Sequence, residues 1–312
     1  MKILVLGAGG TGGYFGGRLA QAGADVTFLV RERRAAQLAA DGLRIESPKD
    51  QVTLRVRTVS AAAVKPEYDV VILSCKAYDL DSSIAAIAPA MGPSTCVVPL
   101  LNGMSHLDRL DAALGAERIM GGVCQIAATL TPEGIVRSMA ETHLIVWGAR
   151  QPAQQATALA LGEAFRPTVV DWKIADNIVL DMWEKVVFLS TLAGMTSLMR
   201  GSVGDILSTP DGKALMERYV ASTIAIAEHE GYPPRDAVIE RFRKILQTTG
   251  SPLTASMMRD LEGGGPIEAD HIVGFMLDKA RHYGIDDTML TVAYTHLKTY
   301  EARRARNGQT GR

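Results

Sequence analysis

Cysteine is scarce. Cys75, Cys96 and Cys124 are the three in 312 residues, each alone in an apolar stretch, without CxxC spacing or an even count. Nothing in that count or spacing suggests a disulfide framework or a cysteine zinc site, and a reducing compartment is expected. Charge of one sign is also missing: 33 basic residues face 34 acidic ones, for a net charge of -1. No broad basic field exists to draw in nucleic acid or an anionic membrane, so an anionic ligand has to be held locally. No apolar run approaches the ~18 residues of a membrane span. The apolar start, Lys2 to Leu6, passes straight into glycines with no cleavage-type segment, so a cytoplasmic location is expected. The six histidines show no HxxxH or HExxH spacing and there is no GxSxG elbow, which leaves metal binding and hydrolase chemistry without support. What is present is 47% hydrophobic and 21% charged residues, the composition of a folded globular chain with enough length for two domains.

A short apolar strand, Lys2 to Leu6, is followed by a glycine cluster, a helical stretch and a second strand, Asp25 to Val30, which makes a βαβ unit. Leu43 to Glu46, Val52 to Val59, Tyr68 to Ser74 and Cys96 to Leu101 continue the strand pattern, and one parallel sheet is the simplest account. Between Met120 and Gly148, short apolar runs alternate with turn residues, as antiparallel strands extending that sheet would, and Thr168 to Asp171 adds one more. After about Lys173 the period becomes helical, in Ile178 to Met199, Ala214 to His229, Ala237 to Gln247 and His271 to Tyr283. The expected fold is α/β: an N-terminal Rossmann dinucleotide-binding domain over residues 1–173, then a mostly α-helical domain over 174–312. The basic tail, Glu301 to Arg312, is expected to fray.

Gly7, Gly9 and Gly12 form GxGxxG at a strand end that opens a helix. Gly7 permits the tight turn, Gly9 lets backbone approach a pyrophosphate and Gly12 allows close helix packing, with the diphosphate on the helix N-terminus. Gly7, Ala8, Gly9, Gly10, Thr11 and Gly12 are thus candidate cofactor contacts. At the end of the second strand, an NAD enzyme usually places an acid; here stands Arg31, followed by Glu32, Arg33 and Arg34. Arginine attracts a 2'-phosphate that an acid would repel, so NADP(H) is favoured over NAD(H). Lys76 and Asn102 follow the strands Tyr68 to Ser74 and Cys96 to Leu101, where doubly wound sheets place ligands, although polar residues there are also ordinary loop residues.

Lys185 shares a helical face with Ile178, Met182, Leu189 and Leu192. An ammonium held among apolar neighbours gives up its proton readily, as a general acid must; a snorkelling lysine with its head in water fits the same spacing. Ser256 and Asp260 are i and i+4 on one helix face, three glycines follow, and Pro266 is expected to start a new helix with Glu268 in its first turn. Acids there also simply complement the helix dipole. His271 and His282 are expected to be surface or satisfied core residues.

Taken together, GAGGTGG at the N-terminus, CKAYD at Cys75 to Asp79, LLNGM at Leu100 to Met104, WEKVV around Lys185 and SMMRDLEGGGPIEADHIVG resemble the ketopantoate reductase family over nearly the whole chain. The resemblance implies a 2-dehydropantoate 2-reductase: NADPH delivers hydride to the carbonyl carbon of a 2-oxo acid, and Lys185 protonates the developing alkoxide while two domains close and exclude water. It further implies that Asn102 contacts cofactor and substrate, Lys76 and Ala127 contact cofactor, Ser256 contacts substrate, and Glu268 lies beside both. One departure stands out. Where the family carries substrate-holding asparagines, this chain aligns Leu189, Ala193 and Val203, so a more apolar 2-oxo acid than ketopantoate is expected to fit. The alternative is a non-catalytic NADP(H)-binding redox sensor, which would need neither Lys185 nor Glu268. The apolar helical domain could also bury surface against a second copy, and a monomer fits the composition equally well.

Overall fold

The computed structural model describes residues 1–310, with side chains described through residue 307. They form two compact units, one of Met1–Leu101 with His106–Val179, the other of Asn102–Ser105 with the chain from Leu180 onward.

The first unit opens with β1 (Lys2–Leu6), α1 (Gly10–Gln21), β2 (Asp25–Leu29) and α2 (Glu32–Asp41). It continues through β3 (Leu43–Glu46), β4 (Gln51–Leu54), β5 (Arg57–Val59), β6 (Val70–Leu73), α3 (Leu80–Ile87) and β7 (Cys96–Pro99). Then come α4 (His106–Leu114), β8 (Gly121–Leu130), β9 (Ile135–Gly148), α5 (Gln155–Phe165) and β10 (Asp171–Ile174). A five-stranded sheet runs β5-β2-β1-β6-β7, all parallel. Its inner strands are continuous apolar runs because both faces are covered: Ile3, Leu4, Val5 and all of Val70 to Leu73 are solvent-free.

The expectation of one sheet is corrected here, because β3, β4, β8, β9 and β10 form a second sheet, β10-β9-β3-β4 with β8 on β9. The reason is visible in the burial: Leu43 and Ile45 are buried while Arg44 and Glu46 are not, the alternation of a strand covered on one face. Leu43 and Ile45 pack against α1 so closely that a Cβ at Gly17 would fall 2.9 and 2.5 Å from them. The run Val52 to Val59 is split between sheets, with β4 antiparallel to β3 and β5 parallel to β2. The strand expected at Thr168 to Asp171 starts at Asp171 and pairs parallel with β9. Trp147 anchors this layer, stacked on Trp172 at 5.8 Å and donating from Nε1 to the Ala158 carbonyl.

The second unit is helical: α6 (Ile178–Met199), α7 (Val203–Leu207), α8 (Gly212–His229), α9 (Asp236–Leu246), α10 (Ser256–Glu262), a π-helical turn at Asp270–Gly274, α11 (Phe275–Tyr283) and α12 (Thr288–Thr310). The first residues of α6 belong to the first unit. The helix is apolar nearly all round, as a central helix should be. Two of its buried hydroxyls bond back to their own turn: Thr191 Oγ1 donates to the Val187 carbonyl and Thr196 Oγ1 to that of Leu192. The tail expected to fray is instead the end of α12 as far as Thr310; the final two residues lie outside the described residues. Among the described residues no helix is long and apolar enough to cross a membrane, and no cluster of His, Cys, Asp or Glu could hold a metal ion.

Candidate active site

β1 delivers the chain into Gly7, which has φ +85°, a backbone region glycine enters without penalty. The Gly7 N–H donates to the Leu29 carbonyl at 2.9 Å, which closes the turn onto β2. Gly12 has no room for a side chain, since a Cβ would lie 2.3 Å from Ser74 Oγ and 2.7 Å from the Gly7 carbonyl oxygen. Gly10 is held as tightly by β8, with the Ala128 carbonyl oxygen 2.7 Å from where its Cβ would be. At Gly9, by contrast, a Cβ would meet nothing within 4 Å, so no packing within the protein demands glycine there. Gly9 is the N-cap of helix α1, which has no side-chain cap and no acid in its first turn. Its leading N–H groups therefore lack intrahelical partners and the positive end of its dipole lacks a compensating charge. A diphosphate fits both deficits.

Arg31 stands at the end of β2 as the N-cap of α2, 84% exposed and 3.9 Å from the Asp79 carboxylate. An exposed pair at that distance is worth little, which leaves the guanidinium available to a phosphate. Arg34 behaves differently: it turns inward and donates to the Ala8 and Gly134 carbonyls. Lys76 is exposed two residues beyond the strand run, and Ala127 sits at a register break of the β8–β9 ladder, between Ile126 and Ala128. Bulges of this kind re-aim a strand beside a ligand site.

In the second unit, Lys185 projects from α6 half-buried, with Met182 and Leu192 of its stripe buried and Leu189 half-buried. Among the described residues Nζ has no hydrogen-bond or ion-pair partner. The neighbouring acid is fully engaged. Buried Glu184 accepts from the Arg235 backbone N–H at 2.9 Å and from its Nε at 2.8 Å, and Asp181 joins the same guanidinium. These carboxylates hold the Arg235 pKa well above its ordinary value. Sequence reasoning missed this anchor, whose signal was an acid beside the lysine inside an apolar helix. One turn beyond Lys185 is Leu189; Ala193, a further turn on, and Val203, at the start of α7, are fully buried.

The segment Asn102 to Ser105 belongs to the second unit by its contacts. Ser105 Oγ lies 3.0 Å from His271 Nδ1, and Gly103, at φ +86°, is so close that a Cβ would be 2.4 Å from the His271 carbonyl oxygen. Asn102 is thereby tethered to the π-helical turn, an irregularity common at functional sites. His271 is a satisfied residue, as expected. Ser256 opens α10, positioned through the Ala255 N–H, which donates to Thr196 Oγ1 at 3.3 Å. The helix expected to begin at Pro266 begins later: residues 266–268 are irregular and Glu268 precedes the first turn, its carbonyl accepting from Ile272. Glu268 is 5% exposed, which the solvated, dipole-complementing reading does not explain.

The comparisons agree over the length of the chain. The family model described as "Ketopantoate reductase PanE/ApbA" matches residues 3–152, and "Ketopantoate reductase PanE/ApbA C terminal" matches 177–301. The chain is 35% identical over 304 residues to an uncharacterized oxidoreductase, YkpB, of Bacillus subtilis, covering 97% of this chain and 100% of that one. It is 28% identical over 289 residues to a 2-dehydropantoate 2-reductase of Halobacterium salinarum, covering 91% and 94%. Among solved structures, a ketopantoate reductase from Ralstonia eutropha superposes with a TM-score of 0.87 at 25% identity, covering 98% and 100%. A D-mandelate dehydrogenase, solved with NADH and anilino(oxo)acetate, shares the fold at a TM-score of 0.87 and 22% identity, with coverage of 98% and 100%. Two matched family models, one for each part of an α/β plus helical architecture, place this chain in the ketopantoate reductase family of oxidoreductases.

Proposed function

We propose that this chain is an NADPH-dependent reductase of 2-oxo acids, acting on ketopantoate or a more apolar relative, with Lys185 as the proton donor. The observation that carries the reading is the half-buried Lys185 ammonium, which has no partner among the described residues although the acid next to it is fully paired. A lysine left unpaired on an apolar stripe is free to polarise a carbonyl oxygen and donate to it.

Gly7 to Gly12 would hold the dinucleotide's diphosphate through the N–H groups at the start of α1. Arg31 would bind a 2'-phosphate, and Lys76 and Ala127 would contact the cofactor. When bound, the reduced nicotinamide supplies a hydride. Lys185 Nζ would give its proton to the carbonyl oxygen of the substrate, so that the product is the 2-hydroxy acid. Asn102 and Ser256 orient the substrate, and Glu268 lies beside both ligands.

Leu189 and Ala193 support a substrate with less to hydrogen-bond than ketopantoate offers. That the fold also serves an enzyme named for mandelate is in keeping with a changed acyl group. The test is an NADPH-oxidation screen over ketopantoate and a panel of branched and aryl 2-oxo acids, run beside NADH. Turnover with an apolar 2-oxo acid, faster with NADPH, is expected. Nucleotide binding without turnover on any member would instead identify a redox-sensing protein.

A further inference from the structure

Arg34 is a half-buried cation for which no carboxylate partner exists among the described residues. All its acceptors are neutral. Nε and Nη2 both donate to the Ala8 carbonyl oxygen, at 3.1 and 2.9 Å, while Nη1 donates to Gln37 Oε1 at 2.6 Å and to the Gly134 carbonyl oxygen at 3.0 Å. Burial, and after it the nearby Arg44 cation, work against its charge. Such a charge is costly to keep without a counter-ion.

Its position explains what it gains. Ala8 lies in the glycine loop, and the Ala8–Gly9 peptide is planar and trans, so its carbonyl and the Gly9 N–H point in opposite directions. Two donors on the Ala8 oxygen therefore fix the heading of the Gly9 N–H, the first of the donors opening α1. The segment needs an outside hold, because glycine is the least constrained backbone and nothing packs within 4 Å of where a Cβ at Gly9 would be. The same guanidinium reaches Gly134, in the β8–β9 turn at φ +78°, where Gln37 would lie 2.1 Å from an added Cβ. One side chain thus ties α2, the glycine loop and the hairpin together.

We propose that Arg34 is a positioning residue of the nucleotide loop, aligning the Gly9 N–H toward a diphosphate whose negative charge is the counter-ion Arg34 otherwise lacks. This rests on the dinucleotide reading above and assigns Arg34 a task separate from that of Arg31. The diphosphate is common to NADH and NADPH, whereas the 2'-phosphate belongs to NADPH alone.

The experiment is direct titration of NADH and NADPH, by nucleotide fluorescence, into the wild type, Arg34→Gln, Arg34→Lys and Arg31→Ala, with melting curves with and without saturating nucleotide. Arg34→Gln is expected to raise both dissociation constants about tenfold with their ratio unchanged, and to shrink the nucleotide-induced rise in Tm. Arg34→Lys, which keeps the charge, recovers part of the loss, and Arg31→Ala weakens NADPH alone. Should Arg34→Gln fail to fold, Arg34→Lys still reports the ratio. Unchanged dissociation constants with a lowered Tm of the free protein would make Arg34 purely structural and overturn the proposal. Selective loss of NADPH would overturn it in favour of 2'-phosphate recognition. A wild type that binds neither nucleotide would remove the dinucleotide reading and this proposal with it.

Discussion

Leu189→Asn should move substrate preference toward ketopantoate. Leu189 sits one helical turn beyond Lys185 on the same face of α6 and is half-buried. A buried polar group left without a partner costs about 1–3 kcal/mol. At a half-buried position the low end applies, about 1 kcal/mol, so an amide that pairs a substrate hydroxyl should raise kcat/KM for ketopantoate about fivefold. The same change removes half the burial value of a leucine, again about 1 kcal/mol, and should lower kcat/KM for a branched or aryl 2-oxo acid by a similar factor. The ratio of the two specificity constants should therefore shift about 25-fold. The assay is NADPH oxidation at saturating cofactor with each substrate varied, beside a melting curve to confirm that the variant is folded. A ratio unchanged within about twofold, or moved the other way, would refute the assignment of this face to the substrate's acyl group.

Gly12→Ala would press a Cβ onto the Gly7 carbonyl oxygen at 2.7 Å, backbone that cannot step aside cheaply; a loss of about 1–3 kcal/mol in stability and weakened NADPH binding should follow, read by denaturant melts and nucleotide titration. Ser105→Ala breaks the tie to His271 that holds the Asn102 segment, so KM for the 2-oxo acid should rise, measured by NADPH oxidation at saturating cofactor. Arg18, buried in the last turn of α1, holds the Asp50 carboxyl below its usual pKa through hydrogen bonding. A depressed carboxylate contributes stability that is present above the unfolded value near 4 and is lost as pH falls through the folded value. Asp50→Asn should accordingly be less stable than the wild type at pH 7 and lose less on acidification, measured by urea melts between pH 7 and 3.

Elements whose burial is decided locally were legible in the sequence. Ile3 to Leu6 of β1, β6 and β7 are unbroken apolar runs because both their faces are covered, and the span Ile178 to Met199 expected for α6 is the span observed. The second sheet was not, since whether β4 and β5 join the same partner depends on surfaces far away in the chain; two strands separated by two residues went to different sheets. Site chemistry divided along the same line. The glycine spacing declared itself, with Gly7 at a positive φ and Gly12 without room for a Cβ. Glu268 and Arg34 did not. A carboxylate near a helix start and an arginine after β2 have ordinary solvated explanations, and only the packing shows one buried and the other turned onto the Ala8 carbonyl.

The most direct measurement is Lys185→Ala, assayed for turnover of the preferred 2-oxo acid alongside NADPH titration. The substitution breaks no hydrogen bond among the described residues, so the protein should fold and bind NADPH as before. Turnover should fall by about 10²- to 10⁴-fold, the usual worth of a positioned acid. A variant that keeps wild-type turnover would contradict the account.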